Sequence, residues 1–171
     1  SEAAELQAAL DKAVAGWEPD GRDFVRLTPA RIYTLYNTGQ LVAGVEQARE
    51  MIAYRKRRFG DSHPNYAISR GILAEGLARL GRDAAALEEF RAAIPVLASQ
   101  SRAAEDDDSS TVAARHLQVR NIVEAYIGLL ARGPASAETA AATFALADTV
   151  RGRSVGTAVA AASARVASND P

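Results

Sequence analysis

Apolar residues recur three and four positions apart along this chain, as in Leu73, Ala74 and Leu77, and again in Val155, Ala158, Val159, Ala162 and Val166. That is the period of a helix with one buried face. No stretch keeps the two-residue alternation rich in Val, Ile and Thr that a half-buried strand needs. The breaks between apolar segments carry helix punctuation. Thr28-Pro29 is an N-cap followed by proline at the first helical position, where a missing N–H does no harm. Gly39 is a stop, and Gly60-Asp61-Ser62-His63-Pro64 is a break before a second proline-led helix. Gly81-Arg82-Asp83 is a short turn with Asp83 as N-cap, Asp106-Asp107-Asp108-Ser109-Ser110 supplies acid at a helix start, and Gly133-Pro134-Ala135-Ser136 is the last break.

These marks predict helices near 2–17, 29–38, 41–58, 64–80, 83–100, 110–132 and 136–150, with a final helical segment to about 167. Residues 18–27 read as a loop, Pro95 is expected to kink the fifth helix or end it early, and Trp17 is expected to pack inside. Short connections make consecutive helices antiparallel neighbours. The fold class is therefore all-α, in one domain over 1–171.

An internal repeat organises the helices. Leu35-Tyr36-Asn37-Thr38-Gly39-Gln40 aligns with Leu77-Ala78-Arg79-Leu80-Gly81-Arg82, an offset of 81 − 39 = 42 positions. Five residues after each glycine stands a small residue, Gly44 or Ala86; Ala48 and Phe90 follow at nine, Met51 and Ala93 at twelve. A third, weaker unit keeps Ile127, Leu130, Ala140, Phe144 and Ala147. A lone helical hairpin cannot bury both faces, so successive hairpins must stack.

The spacing resembles that of tetratricopeptide (TPR) repeats, with a longer period and a Gly-Asp-x-His-Pro turn similar to that of the kinesin-light-chain style. The match is good over 67–98, while the first unit departs from the pattern with Arg31 in place of Leu and Gly44 in place of Ala. The resemblance implies a right-handed solenoid of about three antiparallel hairpins, near 28–58, 64–100 and 110–150, capped by a helix over 151–167. It also implies a concave face lined by the first helix of each pair, with Tyr33, Tyr36, Asn37, Glu75, Arg79, Asn121 and Glu124 as peptide-binding residues. Arg120 to Leu130, Thr143 to Val155 and Ala158 to Arg165 further resemble the end of the TPR region in bacterial CHAT-domain proteins, in which a caspase-like domain follows; the likeness covers roughly 30–167. A CHAT peptidase uses a Cys activated by a His. This chain has no Cys, so the resemblance implies a non-enzymatic N-terminal or middle piece that holds a regulator or substrate near a downstream domain of the same polypeptide. The alternative is a structural, self-associating domain that forms a homodimer through its Ala-rich terminal helix.

Composition narrows the chemistry. Twenty basic and 21 acidic residues leave a net charge of −1, which gives no long-range attraction for nucleic acid or an anionic membrane. No run of about 18 apolar residues exists to span a bilayer, and the opening Ser1-Glu2-Ala3-Ala4-Glu5 is unlike a signal peptide. A soluble protein is expected, in the cytoplasm ahead of the periplasm. His63 and His116 stand alone, without a partner at metal-ligand spacing, so no metal or other cofactor is expected. His63 reads as turn chemistry before Pro64, and Arg55-Lys56-Arg57-Arg58 as a cationic helix C-terminus favoured by the helix dipole. Glu105-Asp106-Asp107-Asp108 reads as a solvated link, since it lacks the spacing and Gly of a calcium loop. Gly152-Arg153-Ser154-Val155-Gly156 has no preceding strand and the wrong glycine spacing for a phosphate loop.

Overall fold

The structure is a computed structural model that describes residues 2–103 and 110–133. The described residues form seven helices and no strand: α1 Glu2–Ala13, α2 Pro19–Arg26, α3 Pro29–Asn37, α4 Leu41–Phe59, α5 Pro64–Arg79, α6 Asp83–Ala103 and α7 Ser110–Arg132. The chain divides into two compact units, Ser1–Asp107 and Asp108–Pro171. The segments expected as helices over 136–150 and 151–167 lie outside the described residues.

Local chemistry sets the helix limits where the sequence marks them. Thr28 Oγ1 accepts the Arg31 backbone N–H at 3.4 Å ahead of Pro29. His63 Nδ1 accepts the Asn65 N–H at 3.1 Å ahead of Pro64, and its ring stacks on Phe59 at 4.6 Å, so the expected turn role holds. Gly39 and Gly81 end α3 and α5 with φ of +80° and +71°. Each closes the same pair of reverse hydrogen bonds: Gln40 N–H to Leu35 O at 2.9 Å with Gly39 N–H to Tyr36 O at 3.3 Å, and Arg82 N–H to Leu77 O at 2.9 Å with Gly81 N–H to Ala78 O at 3.1 Å. A Cβ would strain this left-handed cap, and glycine has none.

Within the first unit α3 packs on α4, α4 on α5 and α5 on α6, and α3 also touches α5. The expected seam residues are sealed: Ala48, Met51, Ala86, Phe90 and Ala93 are all 0% exposed, and Gly44 is buried. Ten of the sixteen residues of α5 are buried, which makes it the innermost helix of this unit. In the second unit α7 buries Val119, Ile122, Val123, Tyr126 and Leu129 at helical spacing.

Three expectations are corrected and a fourth is narrowed. Residues 18–27 are not a loop, because Pro19–Arg26 is helical. That helix buries no residue of its own, and neighbours hold it: Gln47 Nε2 donates to Arg26 O at 2.9 Å, and Arg58 pairs with Asp20 at 2.9 Å. The first helix ends at Ala13 and not at 17, and Trp17, outside it, is 54% exposed. Of the two outcomes expected at Pro95, a kink or an early end, the early end is excluded, since α6 runs on to Ala103. Both Pro95 and Arg91 are exposed, so water can take the Arg91 carbonyl that proline leaves without a donor.

Candidate functional site

Five of the seven residues expected on a binding face converge where α3 meets α5. Tyr33 Oη donates to Glu75 Oε1 at 2.8 Å. Tyr36 Oη donates to the Ile72 carbonyl at 3.1 Å, and the two tyrosine rings meet edge to face at 6.2 Å. Arg79 stacks its guanidinium 5.5 Å from the Tyr36 ring centroid and donates from Nη1 to Asn37 Oδ1 at 3.1 Å. Asn37 and Arg79 are exposed, Tyr33 is half-buried, and Tyr36 and Glu75 are buried. Asn121 and Glu124 belong to α7, in the second unit. Both are exposed there, and Glu124 pairs with Arg120 one turn away at 3.4 Å.

Backbone without side chains makes room for the cluster. The Tyr36 ring lies in a slot between two helix-interior glycines, Gly44 on α4 and Gly76 on α5. A Cβ at Gly44 would stand 2.5 Å from Tyr36 Cε1, and a Cβ at Gly76 would run into the Tyr36 hydroxyl. The slot was not anticipated from the sequence. The signal for it was present in two glycines inside otherwise helical segments, which often mark close approach.

Burial governs the electrostatics. Glu75, only 6% exposed, has its carboxyl pushed up to about 7 by desolvation, against the smaller opposing pulls of the Tyr33 hydrogen bond and the Arg79 charge. Desolvation comes first for Tyr33 and Tyr36 as well, reinforced by the Glu75 charge, so both phenols are raised and stay protonated donors at neutral pH.

Several other charged groups tie helices together. Asp11 of α1 receives both Nη1 and Nη2 of Arg31, at 2.7 and 2.5 Å, and lies 3.3 Å from Arg26 Nε. The Arg31 hydrogen bonds hold its carboxyl below the ordinary carboxylate value. In the basic run at the end of α4, Arg55 donates to Asn65 O at 2.8 Å, while Arg57 and Arg58 face Asp23 and Asp20 of α2 at 4.0 and 2.9 Å. The acidic run near 105–108 and the glycine pair near 152–156 lie outside the described residues. Among the described residues no cluster of His, Asp and Glu is placed to hold a metal ion, and no helix is long and apolar enough to cross a membrane.

The described residues define an all-helical fold of packed neighbouring helices with a polar, tyrosine-lined cluster on the α3 and α5 side of its first unit. In comparison with known proteins, the sequence matches no family model, no curated protein and no solved structure.

Proposed function

We propose that this chain is a TPR-like scaffold whose helical hairpins stack as a right-handed solenoid and hold a protein or peptide against the α3 and α5 face. One observation carries the reading. Among the described residues, the two hydrogen bonds that join a side chain of one of those helices to a side chain of the other, Tyr33 to Glu75 and Arg79 to Asn37, each link residues 42 positions apart. That interval is also the offset between Gly39 and Gly81, which end their helices with the same cap. Contact between equivalent positions of consecutive units is what a stacked repeat requires. The face so formed carries tyrosine and arginine, residue types enriched among binding anchors, with donors and an acceptor side by side. The resemblance of 120–130 and 143–155 to CHAT-type proteins extends the proposal: the scaffold serves a caspase-like domain of the same polypeptide, recruiting its substrate or regulator.

Panning phage-displayed random linear peptides against the immobilised chain tests the binding role. The expected result is a shared peptide motif whose affinity falls about tenfold or more in Arg79→Ala and Asn37→Ala. Both side chains are exposed, so neither change should disturb the fold. Failure to enrich any motif over the bare matrix, or equal affinity in the two variants, ends the reading.

A further inference from the structure

We infer that the Glu75 carboxylate is the acceptor for a cationic side chain, a lysine ammonium or an arginine guanidinium, of the polypeptide held on the α3 and α5 face. The inference rests on the peptide-binding reading above and adds the chemistry of one subsite to it.

Glu75 is placed as an unfinished ion site. A carboxylate offers about four lone-pair positions and satisfies itself with several donors. Among the described residues Glu75 receives one donor, the Tyr33 hydroxyl, on Oε1. Its other oxygen has no hydrogen bond from any described residue. Nor is Oε2 one of the buried atoms without a partner, which are Arg22 Nε, Arg31 Nε and Tyr54 Oη, so it retains some of the small exposure of this side chain. The nearest cation does not complete the site. Arg79 is held aside by Asn37 Oδ1 and the Tyr36 ring, and no Arg79–Glu75 ion pair forms. A desolvated carboxylate with one neutral donor is poorly compensated. A charged donor from outside offsets that loss better than a neutral one, since charge-assisted hydrogen bonds are roughly twice as strong. A ligand without such a donor would leave the oxygen unpaired, so the subsite discriminates as well as binds.

The protonation state of Glu75 provides a second readout. Its carboxyl sits at about 7, with burial as the largest cause. Among the described residues, the titratable and charged groups that interact with it are Tyr33 and Tyr36 of α3 and Arg79 of its own helix. A bound cation selects the carboxylate, so binding near neutral pH expels a proton and tightens as pH rises through about 7.

The test pans the same phage-displayed library over the full chain and over Glu75→Gln. Wild type is expected to enrich Lys or Arg at one motif position, and Glu75→Gln to lose that preference. Replacing the selected Lys by norleucine in a synthetic peptide should weaken binding to wild type about tenfold or more, and to Glu75→Gln by less than about twofold. Calorimetry on wild type alone, in buffers of different ionisation enthalpy, should find proton release, with affinity rising about tenfold from about pH 6 to about pH 8. This arm decides the matter even if the variant does not fold. Peptides without a basic residue, an equal preference in both proteins, or binding without proton release overturn the subsite and leave the scaffold reading standing. Failure to select any peptide overturns both.

Discussion

Tyr36 shows how one residue can reverse an ordinary rule of helix stability. Replacing a helix-interior glycine by alanine normally stabilises by roughly 0.5–1 kcal/mol. At Gly44 the new Cβ would lie 2.5 Å from the Tyr36 ring, which a packed core cannot absorb freely. Gly44→Ala and Gly76→Ala are therefore expected to destabilise by about 1–3 kcal/mol in urea unfolding. Tyr36→Leu should recover part of that loss when combined with either, a coupling that a double-mutant cycle reads directly. Glu75 provides a second prediction at this scale. Its carboxyl rises from an ordinary 4.5 to about 7 on folding, so the native state binds the extra proton. The associated stability is present at acid pH and is lost as pH climbs from 4.5 through about 7, by at most roughly 3 kcal/mol. Glu75→Gln, which carries no titrating proton, should flatten that part of the stability profile. The residues of this cluster were legible from repeat position, but their bonds were not, because which oxygen meets which hydroxyl depends on how far two helices slide past each other.

At the scale of the element, helices written in local chemistry were readable and helices held by distant partners were not. Thr28-Pro29, His63-Pro64, Gly39 and Gly81 act within a few residues of themselves, and each sits at the helix end it announced. α2 contains a glycine and buries no side chain, so nothing in its own eight residues distinguishes it from a turn; its supports come from Gln47 and Arg58 of α4. Trp17 escaped for the same reason, since exposure belongs to the assembled fold and not to the residue type. Arg31, which breaks the repeat pattern, is explained by the Asp11 carboxylate it grips. Asp11→Ala should free α1 without loosening the helices behind it. Hydrogen exchange is expected to quicken in α1 and to stay unchanged in α5; equal acceleration in both would refute a local role. Because Arg31 lowers the Asp11 carboxyl, this contribution is present above the ordinary carboxylate value of 3.8 and disappears as pH falls below it.

Across the first unit as a whole, stability is concentrated around α5. Most of its residues are buried, and it is flanked by α4 and α6. Its amides are expected to exchange last in native-state hydrogen exchange and those of α1 first. Phe90 is 0% exposed on the α6 side of this seam, and Phe90→Ala should cost about 3–5 kcal/mol in a chemical denaturation experiment. The succession of α3 to α6 and the small-residue seam could be read from the sequence because both are periodic. The ionic ties of α1 and α2 could not, because they follow no period.

The interval of 42 residues has one more consequence, in the way this protein would tolerate changes in length. An added residue at Asp61-Ser62, in the exposed turn between α4 and α5, would lengthen the numerical spacing while the helices keep their rotational phase. An added residue inside α5, just before Glu75, would turn Glu75 and Arg79 by about 100° relative to Ile72 and its neighbours. Tyr33 and Asn37 would then face the wrong side chains. The chain is free to drift in length at its corners and is locked, like the teeth of a rack, along its rods.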